Sequence, residues 1–404
     1  MRGHAGAVQP PTRPVPTPRA AGRRVLLTTS LVHLTNDACF ALLYPLFPLI
    51  AADLHLSYAE VGLIKAAFSG ASSVLQLPVG VLGERWGAGL LLLLGNAWVG
   101  AGLAGMALAG GYAVLLALAL LAGLGGNAQH PLASAMVSRS FEGPRAATAL
   151  GTLNFAGDLG KLLGPLAVGG VAVAFGWRPA LALVGGVTAV LSLALLGGRR
   201  ALLPEPPRES TLTTAGASAH GTARRFGALL LAGGLDNATR AAALTFLPFL
   251  LVRHGLPTAL VSLLFSAIFA AGAAGKFACG WLGDRWGLFA VVAVTELATA
   301  AALVGFLAAP LAVVVPLALV LGFALNGTSS ALMALVAQLV PVERRGHGYG
   351  VYYTATLVSG ALAPLAYGAL GDRAGLGTVF VAMALLTAAV VVVVLPLRGL
   401  LAAR

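Results

Sequence analysis

The chain has 404 residues, 58% of them hydrophobic and only 9% charged, with a mean hydropathy of +0.91. Such an apolar excess excludes an ordinary soluble domain. The two cysteines, Cys39 and Cys279, lie in apolar runs and exclude a disulfide framework or a zinc site, while the formal charge of +12 is placed by side rather than by patch and excludes nucleic acid as the partner.

Residues 1–23 are rich in Pro, Arg and Ala and read as a disordered basic arm. A spanning helix needs about 20 apolar residues, and the pattern supplies twelve such runs in chain order. The first six cover roughly 24–51, 58–83, 88–108, 112–138, 146–174 and 178–197, forming an N-terminal bundle over 24–197. Segment 198–225 carries Pro204, Pro206, Pro207 and a Ser/Thr/Ala/Gly run and reads as a polar linker. The next six cover roughly 226–252, 258–283, 288–308, 311–339, 346–370 and 375–398, forming a C-terminal bundle over 226–398 with a short tail at 399–404. The expected fold is an all-α membrane protein of twelve transmembrane helices.

Most of the 25 Lys and Arg fall in the termini and in alternate loops, and only Arg178, Arg253 and Arg373 fall in the opposite loops. This asymmetry places both termini in the cytoplasm. The expected location is the cytoplasmic membrane, with the lipid bilayer as partner.

The chain is written twice. Gly80-Val81-Leu82-Gly83-Glu84-Arg85-Trp86-Gly87 returns 200 residues later as Gly280-Trp281-Leu282-Gly283-Asp284-Arg285-Trp286-Gly287. Asn36-Asp37 returns as Asp236-Asn237 with the order exchanged, and Pro48 as Pro248. Further on the offset is 199: Asn127 matches Asn326, and Gly164-Pro165 matches Ala363-Pro364. Both halves start from the same side, so the repeat is parallel and its axis lies along the membrane normal. A site between such halves sits near mid-depth.

These motifs resemble those of the major facilitator superfamily across residues 24–398. The resemblance implies two six-helix bundles that rock about a central cavity. It also implies that Gly80, Gly83, Glu84, Arg85, Gly87 and their mates Gly280, Gly283, Asp284, Arg285, Gly287 form a cytoplasmic gate. An acid in such a loop can settle at a helix N-terminus, where the dipole favours it. Within the superfamily the chain resembles the fosmidomycin-resistance-type drug exporters at His33-x-x-Asn36-Asp37, at Gly125 with His130-Pro131, and at Arg240 with Leu244-Thr245-Phe246-Leu247-Pro248. The fifth span is similar to the antiporter motif of drug/proton exchangers through Gly157, Gly160, Gly164-Pro165 and Gly169-Gly170. Gly160 and Gly164 permit close helix approach, and Pro165 frees one backbone acceptor, so the trio reads as a helix-5 hinge.

Ionisable groups inside a membrane are costly and mark function by default. The acids are Asp37, Asp158, Asp236 and Glu296; the bases are Lys65, Lys161, Arg240 and Lys276. Asp37 lies about 20 Å into its span at 1.5 Å per residue. It reads as a proton-titrating acid or a ligand for a cationic substrate, or else as a helix-interface acid paired with Asn or Arg of a neighbour. Asp158 and Lys161 share a helix face and either neutralise each other or form a switchable pair. Arg240 either binds an anionic head group or clamps Asp37 across the halves. Glu296 and Lys65 read as structural, and Lys276 as a residue that snorkels to the interface. His33 and His130 titrate near physiological pH in principle; hydrogen-bonded packing is the plainer role. Tyr44, Tyr349, Tyr352 and Tyr353 belong either to an aromatic cavity or to interface belts.

The expected function is alternating-access secondary transport, as proton-coupled efflux of small drug-like or toxic molecules. Asp37, Asn36, Asp158, Lys161, Asp236, Arg240, His33 and His130 are the expected substrate and coupling residues. Protons are the expected coupling ion, a small molecule the expected substrate and a monomer the expected state. No cofactor, metal or enzymatic activity is expected, and no phosphate-binding Gly-x-x-x-x-Gly-Lys-Ser/Thr run occurs. The alternatives are an importer or facilitator of an organic anion or sugar, and a non-transporting sensor on the same scaffold.

Overall fold

The computed structural model describes residues 18–141, 144–198, 220–341 and 344–400. Most of the expected arm and linker, and the tail from 401, lie outside the described residues. Among the described residues every regular element is helical.

Twelve spans follow in order. Helix α1 comprises Pro18–Ala41 and Leu43–Leu54, and α2 comprises Tyr58–Val74 and Gln76–Trp86. Helix α3 is Ala88–Met106. Helix α4 comprises Tyr112–Leu124 and Gln129–Ser140, joined by a 3-10 turn at Gly125–Ala128. Then come α5 (Pro144–Phe175), α6 (Trp177–Leu195), α7 (His220–Arg253), α8 (Thr258–Trp286), α9 (Leu288–Gly305) and α10 (Leu311–Leu339). The helical run Arg345–Val393 folds back at Gly375, where φ is +81°, into α11 (345–374) and α12 (376–393). Among the described residues nine helices are long and apolar enough to cross a membrane, and the bent pair in α2 makes ten. The fold at Gly375 divides one of these into two spans. Helix α7 falls outside that set; it carries Asp236 and Arg240 in its middle and Arg224 and Arg225 near its start.

The breaks have local causes. Pro45 and Pro48 cannot donate to the preceding turn of α1, and the helix is interrupted at Leu42. Pro78 does the same in α2, where Leu75 leaves the helix and its N–H donates to Asn127 Oδ1 at 2.6 Å. Helix α7 begins at His220, inside the stretch expected as linker.

The repeat is visible in the backbone. The residues with positive φ are His55, Gly87, Gly176, Gly255, Gly287 and Gly375. They fall into three mates, 55 with 255, 87 with 287 and 176 with 375, the same offsets as the motifs. Helix pairing repeats as well: α1 packs on α5, α2 on α4 and α3 on α6, while α7 packs on the 345–393 run, α8 on α10 and α9 on α10 and that same run.

The halves meet along α2 against α11 and α5 against α8. A Cβ at Gly62 would strike the backbone of Pro364, and one at Gly368 the backbone of Tyr58. The contact is one-sided in depth. Toward the end of the molecule remote from the repeated Gly motif, the second-half core of Phe246, Phe265 and Phe380 takes in Ala41 of α1, with Tyr44 and Tyr58 packed on it, and the first-half core of Leu42, Phe47 and Phe68 has Phe249 of α7 packed on it. At the motif end the apolar cores separate: one holds Val25, Leu92, Leu132 and Leu153, the other Leu229, Val291, Leu335 and Val394. The remote end also carries a polar latch. The carboxylate of Asp372 on α11 accepts the backbone N–H groups of Tyr58 at 2.8 Å and Ala59 at 2.9 Å. These donors are the free first-turn amides of α2, which favour an anion.

Candidate functional site

Small residues bring the charges together. A Cβ at Gly160 or Gly164 of α5 would collide with the backbone of Leu34 or Ala38 of α1, and one at Gly157 with His33 and Asp37. Helix α5 therefore lies directly on α1 and presents Asp158 and Lys161 beside Asp37. Lys161 Nζ is 3.2 Å from Asp37 Oδ2 and 3.4 Å from Asp158 Oδ1. From the other half, Lys276 Nζ of α8 donates to Asp158 Oδ1 at 2.6 Å and Oδ2 at 2.8 Å. The result is a continuous chain Asp37, Lys161, Asp158, Lys276, which crosses from one bundle to the other. Lys276 is thus a member of the cluster and does not snorkel to the interface, because Asp158 offers its ammonium a nearer anion than the interface does. The acids are nearly closed off, at 8% and 12% side-chain exposure, while Lys161 and Lys276 keep 39% and 35%. The cations are therefore the accessible members of the chain.

The histidines sit behind Asp37. His33 Nε2 is 3.5 Å from Asp37 Oδ2, and His33 and His130 meet edge to face with centroids 5.3 Å apart. Ligand atoms of His33, Asp37 and His130 lie within 4.8 Å of one another. A metal ion held there would share Asp37 Oδ2 with the Lys161 ammonium, so the triad fits a polar cluster better than a metal centre.

Asn36 points elsewhere. Its side-chain amide donates to Asn96 Oδ1 of α3 at 3.2 Å, and Asn96 donates to Thr35 and to Ser192 of α6, each at 2.9 Å. Lys65 is buried, with Nζ 4.4 Å from the Tyr44 ring centroid, a cation–π contact. Tyr44 in turn stacks on Phe265 at 6.0 Å.

In the second half Arg240 donates to Asp236 Oδ2 at 2.8 Å, one turn away on its own helix. It forms no clamp on Asp37. Asn237 donates to the Thr356 carbonyl of α11 at 2.6 Å. Glu296 is buried, and its Oε1 has no hydrogen-bond partner. Among the tyrosines, Tyr352 is buried where a Cβ on Gly233 would touch its ring, and Tyr353 donates to Met333 Sδ at 3.0 Å.

At the motif end Gly87 and Gly287 hold φ of +94° and +80°, conformations that glycine adopts without strain. Gly83 and Gly283 meet the side chains of Leu132 and Leu288, while Gly80 and Gly280 face open space. Glu84 lies 4.0 Å from Arg139 of the same half, both exposed, and Arg285 lies over the Trp281 ring at 4.7 Å. Among the described residues no ion pair joins the two halves at this end. Helix α5 runs through Pro165 as one helix from Pro144 to Phe175.

The Major Facilitator Superfamily model matches residues 29–235 and 229–401. The chain belongs to the major facilitator superfamily. Like other members of that superfamily it is a multi-pass membrane transporter. It is similar to the fosmidomycin resistance protein of Escherichia coli (strain K12), with 26% identity over 379 residues and 88% of each chain covered. It is also similar to the hexuronate transporter of Bacillus subtilis (strain 168), with 31% identity over 137 residues, 34% of this chain and 32% of that one. Among solved structures, a variant of the nucleoside transporter NupG aligns with TM-score 0.77, 14% identity and 91% and 98% coverage. A bacterial homologue of the human lysosomal transporter Spinster, inward-facing and occupied, aligns with TM-score 0.75, 17% identity and 92% and 94% coverage. At these identities the major facilitator fold is what is shared.

Sequence reasoning left Lys276 out of the site, because no local rule says that its helix face meets Asp158 of the other half.

Proposed function

We propose that the protein is a proton-coupled exporter of small drug-like or toxic molecules in the cytoplasmic membrane, with both termini in the cytoplasm. The observation that carries this reading is the chain Asp37, Lys161, Asp158, Lys276, which contains two acids and two bases and spans both halves. In a low-dielectric site a neutral set is favoured over a charged one. A proton on Asp37 leaves the set with one positive charge in excess, and Lys161 then draws on Asp158 or on an anionic group of a substrate. A substrate anion at the exposed lysines and a proton at the buried acids therefore favour each other, whereas a cationic substrate group competes with the proton for Asp37 and Asp158, as export in exchange for a proton requires. With the termini in the cytoplasm, the separated motif end is the inner mouth and the Asp372 latch closes the outer one. The gate loops and the Gly160, Gly164, Pro165 segment are the proposed moving parts, acting within a single chain.

Similarity to a fosmidomycin resistance protein makes fosmidomycin the first compound to test. Efflux from loaded proteoliposomes is expected to accelerate under an imposed pH gradient, and Asp37→Asn to remove that acceleration. Equal rates with and without the gradient would sink proton coupling. A second reading, uptake of an organic anion, is favoured by the exposure of Lys161 and Lys276 and by the partial similarity to a hexuronate transporter. Gradient-driven accumulation of labelled hexuronate, with no efflux of drugs, would decide for it.

A further inference from the structure

Of the three lysines in the chain, Lys161 and Lys276 are paired with acids. Lys65 of α2 is not. It is 4% exposed, and among the described residues the polar contact of its ammonium is the Tyr44 ring of α1, whose centroid lies 4.4 Å from Nζ. The acids of this end of the molecule are engaged elsewhere. Glu60 accepts the Ser57 backbone N–H at 2.8 Å, Asp53 binds Arg178, and Asp372 accepts the N–H groups of Tyr58 and Ala59. Deeper in α1, Asp37 is held by Lys161. A buried ammonium calls for an anion, and the negative face of an aromatic ring is only a partial substitute for one.

The repeat shows that packing does not require a charge at this position. The mate of Lys65, 200 residues on, is Phe265 of α8, which is fully buried. Tyr44 stacks on that same Phe265 at 6.0 Å, so one ring touches both mates, a cation from the first half and a phenyl group from the second. Phe269, one turn further along α8, lies 6.3 Å from Tyr44. The result is a seat with one ammonium and three aromatic rings, built from both bundles along the seam where they meet. It stands apart from the Asp37, Lys161, Asp158, Lys276 chain: Phe269 precedes Lys276 by seven residues of α8, about 10 Å at 1.5 Å per residue, toward the end remote from the Gly motif.

We propose that Lys65 is a recognition residue for the anionic group of an aromatic or apolar ligand. The Tyr44 ring holds the ammonium in the structure; on binding, the ligand anion takes the place of that ring on Lys65, and the ligand body packs on Tyr44, Phe265 and Phe269. The proposal rests on the transport reading only in taking the seam between the halves as the path of a ligand.

The test is nuclear magnetic resonance of the full-length protein carrying ε-13C lysine, in which three lysines give three side-chain signals. Lys65→Arg assigns the Lys65 signal, or Lys161→Arg and Lys276→Arg assign it by elimination. The ring current of Tyr44 is expected to displace that signal upfield. Titration with benzenesulfonate is expected to move it downfield as the ring leaves, and the uncharged benzenesulfonamide to leave it in place. In thermal melts Lys65→Met is expected to abolish the stabilisation by benzenesulfonate and Lys65→Arg to retain it. Tyr44→Leu, which installs the side chain of the mate Leu244, is expected to tighten binding about two- to tenfold, because a competing cation–π contact is gone. A stationary Lys65 signal at saturating benzenesulfonate, with movement of the Lys161 and Lys276 signals alone, would overturn the proposal. So would an equal response to the sulfonamide, or full stabilisation of Lys65→Met. Binding is read here without transport, so absence of proton-driven efflux beside a responsive Lys65 signal would count against the transport reading and leave the site standing.

Discussion

Lys276 of α8 donates to both carboxylate oxygens of Asp158 on α5, at 2.6 and 2.8 Å. This bidentate ion pair ties one bundle to the other, and further along the same interface the Ser266 hydroxyl donates to the Leu162 carbonyl at 2.8 Å. Asp158 is closed off while Lys276 is about one-third exposed, so the pair is intermediate between a surface bridge and a buried one.

Lys276→Met is expected to leave Asp158 undercompensated and to lower thermal stability, with most transport lost. Asp158→Asn in the same protein is expected to recover part of that stability. A double-mutant cycle on unfolding should give a coupling of about 1–2 kcal/mol, reduced from the buried-pair range by the exposure of the lysine. Additive single effects would show that the pair carries no coupling.

Asp372→Asn is expected to weaken the latch on α2 while leaving the fold intact, since Asp372 is largely exposed. Anion–helix contacts of this kind are worth about 0.3–1 kcal/mol, so the closed-to-open ratio at this end should fall about two- to fivefold. The check is labelling of a cysteine introduced at Phe249 by an impermeant thiol reagent. An unchanged labelling rate would remove Asp372 from the closure of this end.

Two glycines of α5 separate packing from propensity. Gly160→Ala places a methyl against the Leu34 backbone, whereas a Cβ at Gly170 meets nothing within 4 Å. Gly160→Ala should cost about 1–3 kcal/mol as an overpacked contact and displace α5 from α1, disrupting the Asp37–Lys161 pair. Gly170→Ala should be neutral or stabilising by helix propensity. Melting temperatures and transport rates of the two variants, compared directly, test the assignment; equal behaviour would refute it.

The motif glycines divide in the same way. Gly87→Ala, at φ +94°, is expected to cost about 1–2 kcal/mol of backbone strain, and Gly287→Ala, at φ +80°, a similar amount. Gly80→Ala and Gly280→Ala face open space and should leave stability within about 0.5 kcal/mol. Denaturation of all four variants in one detergent provides the measurement.

Architecture was legible in the sequence because a bilayer imposes one-dimensional rules. A span must be apolar for about 20 residues, and a duplicated chain repeats its turns at a fixed offset, as the three positive-φ mates show. The twelve helices, their parallel repeat and the family follow from such local signals. Asp158 and Lys161 were also legible as a pair, because three residues on a helix fix their separation.

Partner choice between helices was not legible, because no local rule says which faces meet. Only the tertiary structure turns Asn36 toward Asn96 and away from its neighbour Asp37, keeps Arg240 on Asp236, and carries Lys276 to Asp158 across the halves. Close approach at Gly160 and Gly164 decides the α1–α5 contact, and that contact decides which buried charges compensate each other. The sequence by itself determined that the chain is built twice and spans a membrane, since hydropathy and spacing are properties of the chain. The helix packing decided that the charges of the two halves are arranged differently, since electrostatic compensation depends on distances of a few ångströms between distant segments.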